Sequence, residues 1–258
     1  MKHTIQPERV SPGEMIIEVE DLSSVLGEKE VLSEVSFHAL AGEITIILGE
    51  SGSGKTTLLK HLLGLYSSRG DCLRVLGKNP SSLIDQDEKE FYQRIGVLYQ
   101  EGALLNSMTI GENIGLPLEQ HTRFPGELIE QVVRMKLKLV HLGEVYHLYP
   151  SQLSGGMLKR AALARAIVMD PPLLFCDEPG AGLDPVNLSK LDSLIMNLKI
   201  SMGMTIVMVT HELSSILRMA DHIVYLENGH SIFQGSLESA LSCDLPALKN
   251  YFARGKGE

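Results

Sequence analysis

The run Gly49-Glu50-Ser51-Gly52-Ser53-Gly54-Lys55-Thr56-Thr57 has the residue types and spacing to hold a nucleoside triphosphate. It satisfies G-x-x-x-x-G-K-S/T through Gly49, Gly54, Lys55 and Thr56. A backbone that wraps a phosphate chain must turn its N–H groups inward, and Gly52 and Gly54 permit φ values and a close approach that side chains would block. Lys55 would reach the β- and γ-phosphates as a point charge. Thr56 would offer its hydroxyl to Mg²⁺, and the helix that follows would aim its N-terminus at the phosphates. A second group of candidates is Asp177-Glu178, which follows the apolar run 173–176. Breaking a γ-phosphate bond requires charge neutralisation and an oriented water. Asp177 is assigned to the metal, directly or through water, and Glu178 to the water. Alone, an Asp-Glu pair before Pro179-Gly180 would be a solvated turn; its coupling to the phosphate loop gives it chemistry. Gln100 and His211 repeat the pattern, each just past an apolar strand, where either could touch the γ-phosphate, its metal or the water.

The elements that must position these residues follow from the hydrophobic pattern. Ile44 to Leu48 reads as a buried parallel strand, and the leucines from Thr57 to Leu65 recur at helical spacing, giving strand, loop and helix in the required order. Ile95 to Tyr99, Leu173 to Cys176, Thr205 to Val209 and His222 to Leu226 are further apolar strands. Helices are expected at Val186 to Ile200 and Glu212 to Met219, so the alternation is that of a parallel α/β sheet whose C-terminal edge carries the ligand. Met15 to Val19 and Val35 to His38 look like strands of a small antiparallel sheet turning near Gly27, and Cys72 to Leu76 like a short strand. Ser81 to Gln93 reads as polar helix and loop. From Gly102 to Pro150 the pattern turns helical, carried by Leu128, Val132, Met135, Leu139 and Leu142. A long helix then follows Ser154-Gly155-Gly156. Glu227-Asn228-Gly229-His230 is a hairpin turn, and Pro246 to Phe252 a short terminal helix.

Composition narrows the class. With 258 residues the chain can bury a real core, and no apolar run reaches the span of about 18 residues that crosses a bilayer. MKHTIQPERVSPGE lacks the hydrophobic core of a signal peptide, so the chain is expected to be cytoplasmic unless a partner carries it to a membrane. A net charge of -9 argues against a general nucleic-acid surface. Cys72, Cys176 and Cys243 are too few and too far apart for a disulfide framework or a zinc site.

Leu153-Ser154-Gly155-Gly156-Met157 resembles the LSGGQ signature of ABC ATPases, with methionine in place of glutamine. Phosphate loop, Gln100, LSGGM, Asp177-Glu178, Gly182-Leu183-Asp184 and His211 resemble, in order, that family's Walker A, Q-loop, signature, Walker B, D-loop and H-loop over roughly residues 15 to 240. The fold this implies is α/β: a P-loop NTPase (RecA-like) core with a small antiparallel β subdomain and an inserted α-helical subdomain of the ABC ATPase type. Its nucleotide-binding domain is expected over 15–242, with the helical insert at about 101–165, a flexible tail at 1–14 and a C-terminal tail at 243–258. Physically the signature is a second anion site, made of a serine hydroxyl, bare glycine N–H groups and a helix N-terminus. The resemblance implies a head-to-tail homodimer in which Ser154, Gly155 and Gly156 of one subunit grip the γ-phosphate of ATP held with Mg²⁺ by the other. Thr56, Gln100 and Asp177 would then be metal ligands, and Lys55, Gln100, Glu178 and His211 the catalytic set.

A narrower likeness lies in EGALLNSMTIGENIGLPL (101–118), in LSGGMLKRAALARAI and in the tail 245–252, all similar to ATPases of MCE or Mla-type lipid transport systems. That resemblance implies phospholipid or other lipid transport. The partners implied are an integral membrane permease, a lipid-binding MCE protein and a small accessory subunit, at the cytoplasmic face of the inner membrane. The alternatives are the ATPase of another transporter, for lipoprotein extraction or solute import, and a soluble ABC mechanoenzyme. Leu26 stands where the family often stacks adenine on an aromatic ring, and Ala181 where the D-loop often has serine. Leu104, Leu105, Met108 and Ile110 suit either a groove for a permease helix or the core of the helical subdomain. Met196, Met202, Met204 and Met208 are expected to fill the core.

Overall fold

The structure is a computed structural model describing residues 11–68 and 70–254. Most of the expected N-terminal tail, and the charged end at 255–258, lie outside the described residues. In chain order the chain forms β1 (Met15–Leu26), β2 (Lys29–Leu40), β3 (Ile44–Gly49), α1 (Lys55–Leu62), β4 (Leu73–Val75), α2 (Asp85–Gln93), β5 (Ile95–Leu98), α3 (Ile110–His121), α4 (Gly126–Leu139), α5 (Gly155–Ala166), β6 (Leu173–Asp177), α6 (Pro185–Met202), β7 (Thr205–Val209), α7 (Leu213–Met219), β8 (His222–Glu227), β9 (His230–Ser236), α8 (Leu237–Ser242) and α9 (Pro246–Arg254). Contacts divide it into two units: Ser11–Phe91 together with the chain from Thr205 onward, called here the phosphate-loop unit, and Tyr92–Met204, the signature unit.

In the phosphate-loop unit, β1 pairs antiparallel with β2 on one side and β4 on the other. Both long strands extend well beyond the expected edge strands, because register shifts let the ribbon keep pairing across polar stretches to the turn at Gly27. A second sheet sets β3 between β7 and β8, all parallel, with β9 antiparallel to β8. Every residue of β3 is buried, which is why it reads as an unbroken apolar run. The β8–β9 turn at Asn228-Gly229 lies against β2: the Ser33 N–H donates to the Gly229 carbonyl at 2.9 Å, and a Cβ on Gly229 would lie 2.6 Å from the Val31 oxygen. Leu248 and Phe252 bury α9, and Tyr251 meets Tyr225 of β8 edge-on.

In the signature unit, β5 and β6 are parallel. Helix α3 starts at a reciprocal cap between Thr109 and Glu112, and Ile110, Ile114 and Leu118 enter the core with Ile129, Val133 and Leu137 of α4. The helical period in α4 has an unexpected phase. Leu128, Met135 and Leu139 are 38%, 56% and 37% exposed, while the row one residue along is buried. Both rows have the same period, so the period alone does not choose between them. Of the residues that suited either a partner groove or the core of the helical subdomain, Ile110 is fully buried, whereas Leu105 is exposed. Met204 and Met208 fill the core as expected; Met202 does not, lying in the last turn of α6 at 38% exposure.

Candidate functional site

Each unit brings two of the expected residues to one sheet edge. In the phosphate-loop unit, Ile47 of β3 is in register with Val209 of β7, and Gly49 and His211 each follow two residues later. In the signature unit, Leu98 of β5 is in register with Cys176 of β6, and Gln100 and Glu178 each follow two residues later. Parallel pairing delivers both pairs at strand C-termini, where open α/β sheets hold ligands. The Cys176 thiol on β6 is fully buried, and that burial raises its pKa beyond any nucleophilic use.

The phosphate loop is built by its glycines. Gly54 has φ +102°, and a Cβ there would stand 2.6 Å from Leu32 Cδ2; at Gly49 it would stand 2.3 Å from the Leu226 carbonyl oxygen. Gly54 caps α1 without any side chain bonding to the helix N–H groups, so these stay directed at the loop. The Lys55 ammonium donates to the carbonyls of Gly49 and Glu50, each at 2.8 Å, which places the cation across the mouth of the loop. A loop whose glycines let it pack this closely, with the Lys55 ammonium held against its carbonyls, fits a triphosphate chain. Thr56 is exposed. Its hydroxyl, like the Asp177 carboxylate and the Gln100 amide in the other unit, is a hard oxygen donor of the kind Mg²⁺ takes.

In the signature unit Ser154 caps α5, its Oγ accepting the Met157 N–H at 3.4 Å. A Cβ on Gly155 would meet nothing within 4 Å, whereas one on Gly156 would lie 3.0 Å from Asn187 Cγ. Asn187 also donates to Asp184 at 2.5 Å, and Asp184 caps α6 by accepting the Val186 and Asn187 N–H groups, both at 3.0 Å. These bonds to Asn187 hold the Asp184 carboxyl below the usual carboxylate range. Glu178 has φ +44°, a left-handed conformation that costs a non-glycine residue of order 1 kcal/mol or more and re-aims the chain after β6.

The comparisons with known proteins bear on these features together. Residues 32–181 match the family described as "ABC transporter". The chain is 37% identical to the intermembrane phospholipid transport system ATP-binding protein MlaF of Haemophilus influenzae, over 94% of this chain and 92% of that one. The chain belongs to the ABC transporter family. As an ABC ATPase it binds and hydrolyses ATP, and its fold is the P-loop α/β core with an antiparallel β subdomain and an inserted helical subdomain. It is also 37% identical to a probable ribonucleotide transport ATP-binding protein, mkl, of Mycobacterium leprae, covering 93% of this chain and 69% of that one. Among solved structures, an ATP-binding cassette dimer in a post-hydrolysis state with ADP and Pi aligns at a TM-score of 0.77 and 30% identity, over 86% of this chain and 98% of that one. CbiO1 of Clostridium perfringens, part of the cbiONQ transporter complex, aligns at 0.79 and 25% identity, over 94% and 92%. Among the described residues no helix is long and apolar enough to cross a membrane.

Three residues of this ABC ATPase went unremarked in the sequence. Lys159, only 9% exposed, donates from α5 to the Gln100 carbonyl. Arg165 of the same helix donates to the Ala103 and Gly102 carbonyls at 2.7 and 3.0 Å, and Asn187 links Asp184 to Gly156. A lysine and an arginine within an amphipathic stretch read as surface charge, and no spacing rule marks a partner that is a backbone oxygen.

Proposed function

We propose that this chain energises phospholipid transport as a homodimer in which each copy completes the other's nucleotide site. The observation that carries the dimer is Gly155: neither a left-handed φ nor a neighbour among the described residues requires a glycine there, yet it opens a helix beside the Ser154 hydroxyl. A bare N–H row at a helix start suits a γ-phosphate brought by a second molecule. In this reading Gly49 to Thr57 hold ATP, with Lys55 on the β- and γ-phosphates. Thr56, Gln100 and Asp177 hold Mg²⁺, which when bound neutralises the developing charge on the transferred phosphoryl group. Glu178 orients the attacking water, His211 contacts the γ-phosphate, and Ser154, Gly155 and Gly156 grip the partner's nucleotide.

Lipid is favoured as cargo because the likeness to MlaF runs nearly end to end, whereas the likeness to mkl covers 69% of that protein. The partners are then an integral membrane permease, an MCE-type lipid-binding protein and a small accessory subunit, with this chain peripheral on the cytoplasmic face. The domain core is proposed to span 15–242 with the helical insert at about 101–165. The test is twofold. Lys55→Ala and Glu178→Gln should each lower ATP turnover by at least about 100-fold, and Glu178→Gln should accumulate an ATP-bound dimer on size-exclusion chromatography. Unchanged turnover in both would overturn the site. Co-purification from membranes, with identification of bound proteins and lipids, checks the cargo; a ribonucleotide permease in place of lipid partners would reverse that part.

A further inference from the structure

Helix α5 does more than present Ser154. Three of its residues, at helical spacing on one side, seat the loop that carries Gln100. The Lys159 ammonium donates to the Gln100 carbonyl, and Arg165 donates to the carbonyls of Gly102 and Ala103. Between them, Ala162 packs so closely on Gly102 that a Cβ added there would lie 3.2 Å from the Ala162 Cβ. Gly102 and Ala103 both take left-handed backbone conformations, φ +72° and +51°, which turn their carbonyls to the helix. Lys159 is the least expected member. Its burial pushes the ammonium pKa down, and the carboxylates that oppose this are Glu101 on the same loop and Glu178 after β6.

We propose that Lys159 is a positioning residue for ATP hydrolysis, fixing the backbone of Gln100 to the signature helix so that the Gln100 side chain and Ser154 move as one body. It acts through Gln100 and touches no nucleotide. The inference rests on the assignment of Gln100 to the metal or the water, and its test is arranged to separate the two.

Steady-state ATP turnover is measured on the full chain in complex with its membrane partners, for Gln100→Ala, Lys159→Met, Lys159→Arg and the double variant Gln100→Ala/Lys159→Met. Lys159→Met keeps the stem and removes the donors. It should lower kcat about 10-fold or more with KM for ATP within about threefold, at an unchanged melting temperature, since the desolvation of a buried ammonium disappears with its bond. Lys159→Arg, which keeps donors, should restore kcat to within about threefold. In the Gln100→Ala background Lys159→Met should add less than about twofold, because both act through one side chain. Full additivity, or a fall in kcat that tracks a fall in melting temperature, overturns the proposal. If Gln100→Ala alone leaves turnover intact, the role assigned to Gln100 fails, and coupling through it fails as well. Should Lys159→Met give no native melting transition, Arg165→Met, which removes the two neighbouring bonds of the seat, enters the same cycle with the same criteria.

Discussion

Helices α1 and α5 both have a glycine at their start, and the two starts are built in opposite ways. At α1 the glycine is demanded from inside: Gly54 sits at φ +102° with Leu32 packed where a Cβ would go. No side chain caps the helix. At α5 the cap residue is extended, Ser154 at φ -69°, and spends its own hydroxyl on the helix, while a Cβ added to the next glycine would meet no described residue within 4 Å. A residue that folding requires and one that folding leaves unexplained call for different causes. The first start is accounted for within its unit, and the second is the one proposed above to be completed by a partner copy.

The sharpest way to break this contrast is Gly54→Ala. It should destabilise the chain by about 2–4 kcal/mol through left-handed strain and overpacking against Leu32, and abolish retention on an ATP resin; a native melting temperature would refute the packing argument. Next is Gly155→Val, which should lower ATP turnover by about 100-fold, or about 2.7 kcal/mol, while differential scanning fluorimetry shows the fold intact. Loss of stability in step with activity would mean that Gly155 is needed by its own chain after all. Helix α6 calibrates the pair because its cap is satisfied internally. Asp184→Ala should cost about 1 kcal/mol, roughly 2–4 °C in Tm for a chain of this size.

The smallest effect concerns acid. Burial pushes the His61 imidazole below its ordinary 6.5, and its Nε2 lies 2.8 Å from Ser24 Oγ behind the phosphate loop. A histidine whose folded pKa is lowered contributes stability in full above about pH 6.5 and loses it as the pH falls through the folded value, because the unfolded chain binds the proton first. Amide exchange in α1 should therefore rise between pH 7 and 5 before that in α5, and His61→Gln should remove the difference; equal rises in both helices would count against it.

The same asymmetry explains what was legible in the sequence. The phosphate loop, both carboxylates, Gln100 and His211 stood out because each lies at the end of an apolar strand, and buried parallel strands are the plainest pattern a chain can write. The strand order was not legible; the register that brings Gln100 level with Glu178 comes from backbone pairing. In α4 the sequence offered two apolar rows and the structure buried the less obvious one, against Ile110 and Ile114 of α3. Lys159 and Arg165 were invisible because their partners are carbonyls, which every residue has. The left-handed Glu178 gave no sign, since glutamate is not a residue type that announces such a turn.

The hairpin at Asn228-Gly229 reaches back to the nucleotide loop through two intermediaries: Gly229 fits against Val31, and the adjoining Leu32 leans on Gly54. A methyl group at position 229 would lift that prop from below. A genetic screen for weakened ATP affinity should thus recover lesions in a surface turn far downstream of any phosphate-binding motif, and such alleles should be suppressed by trimming Leu32 to valine.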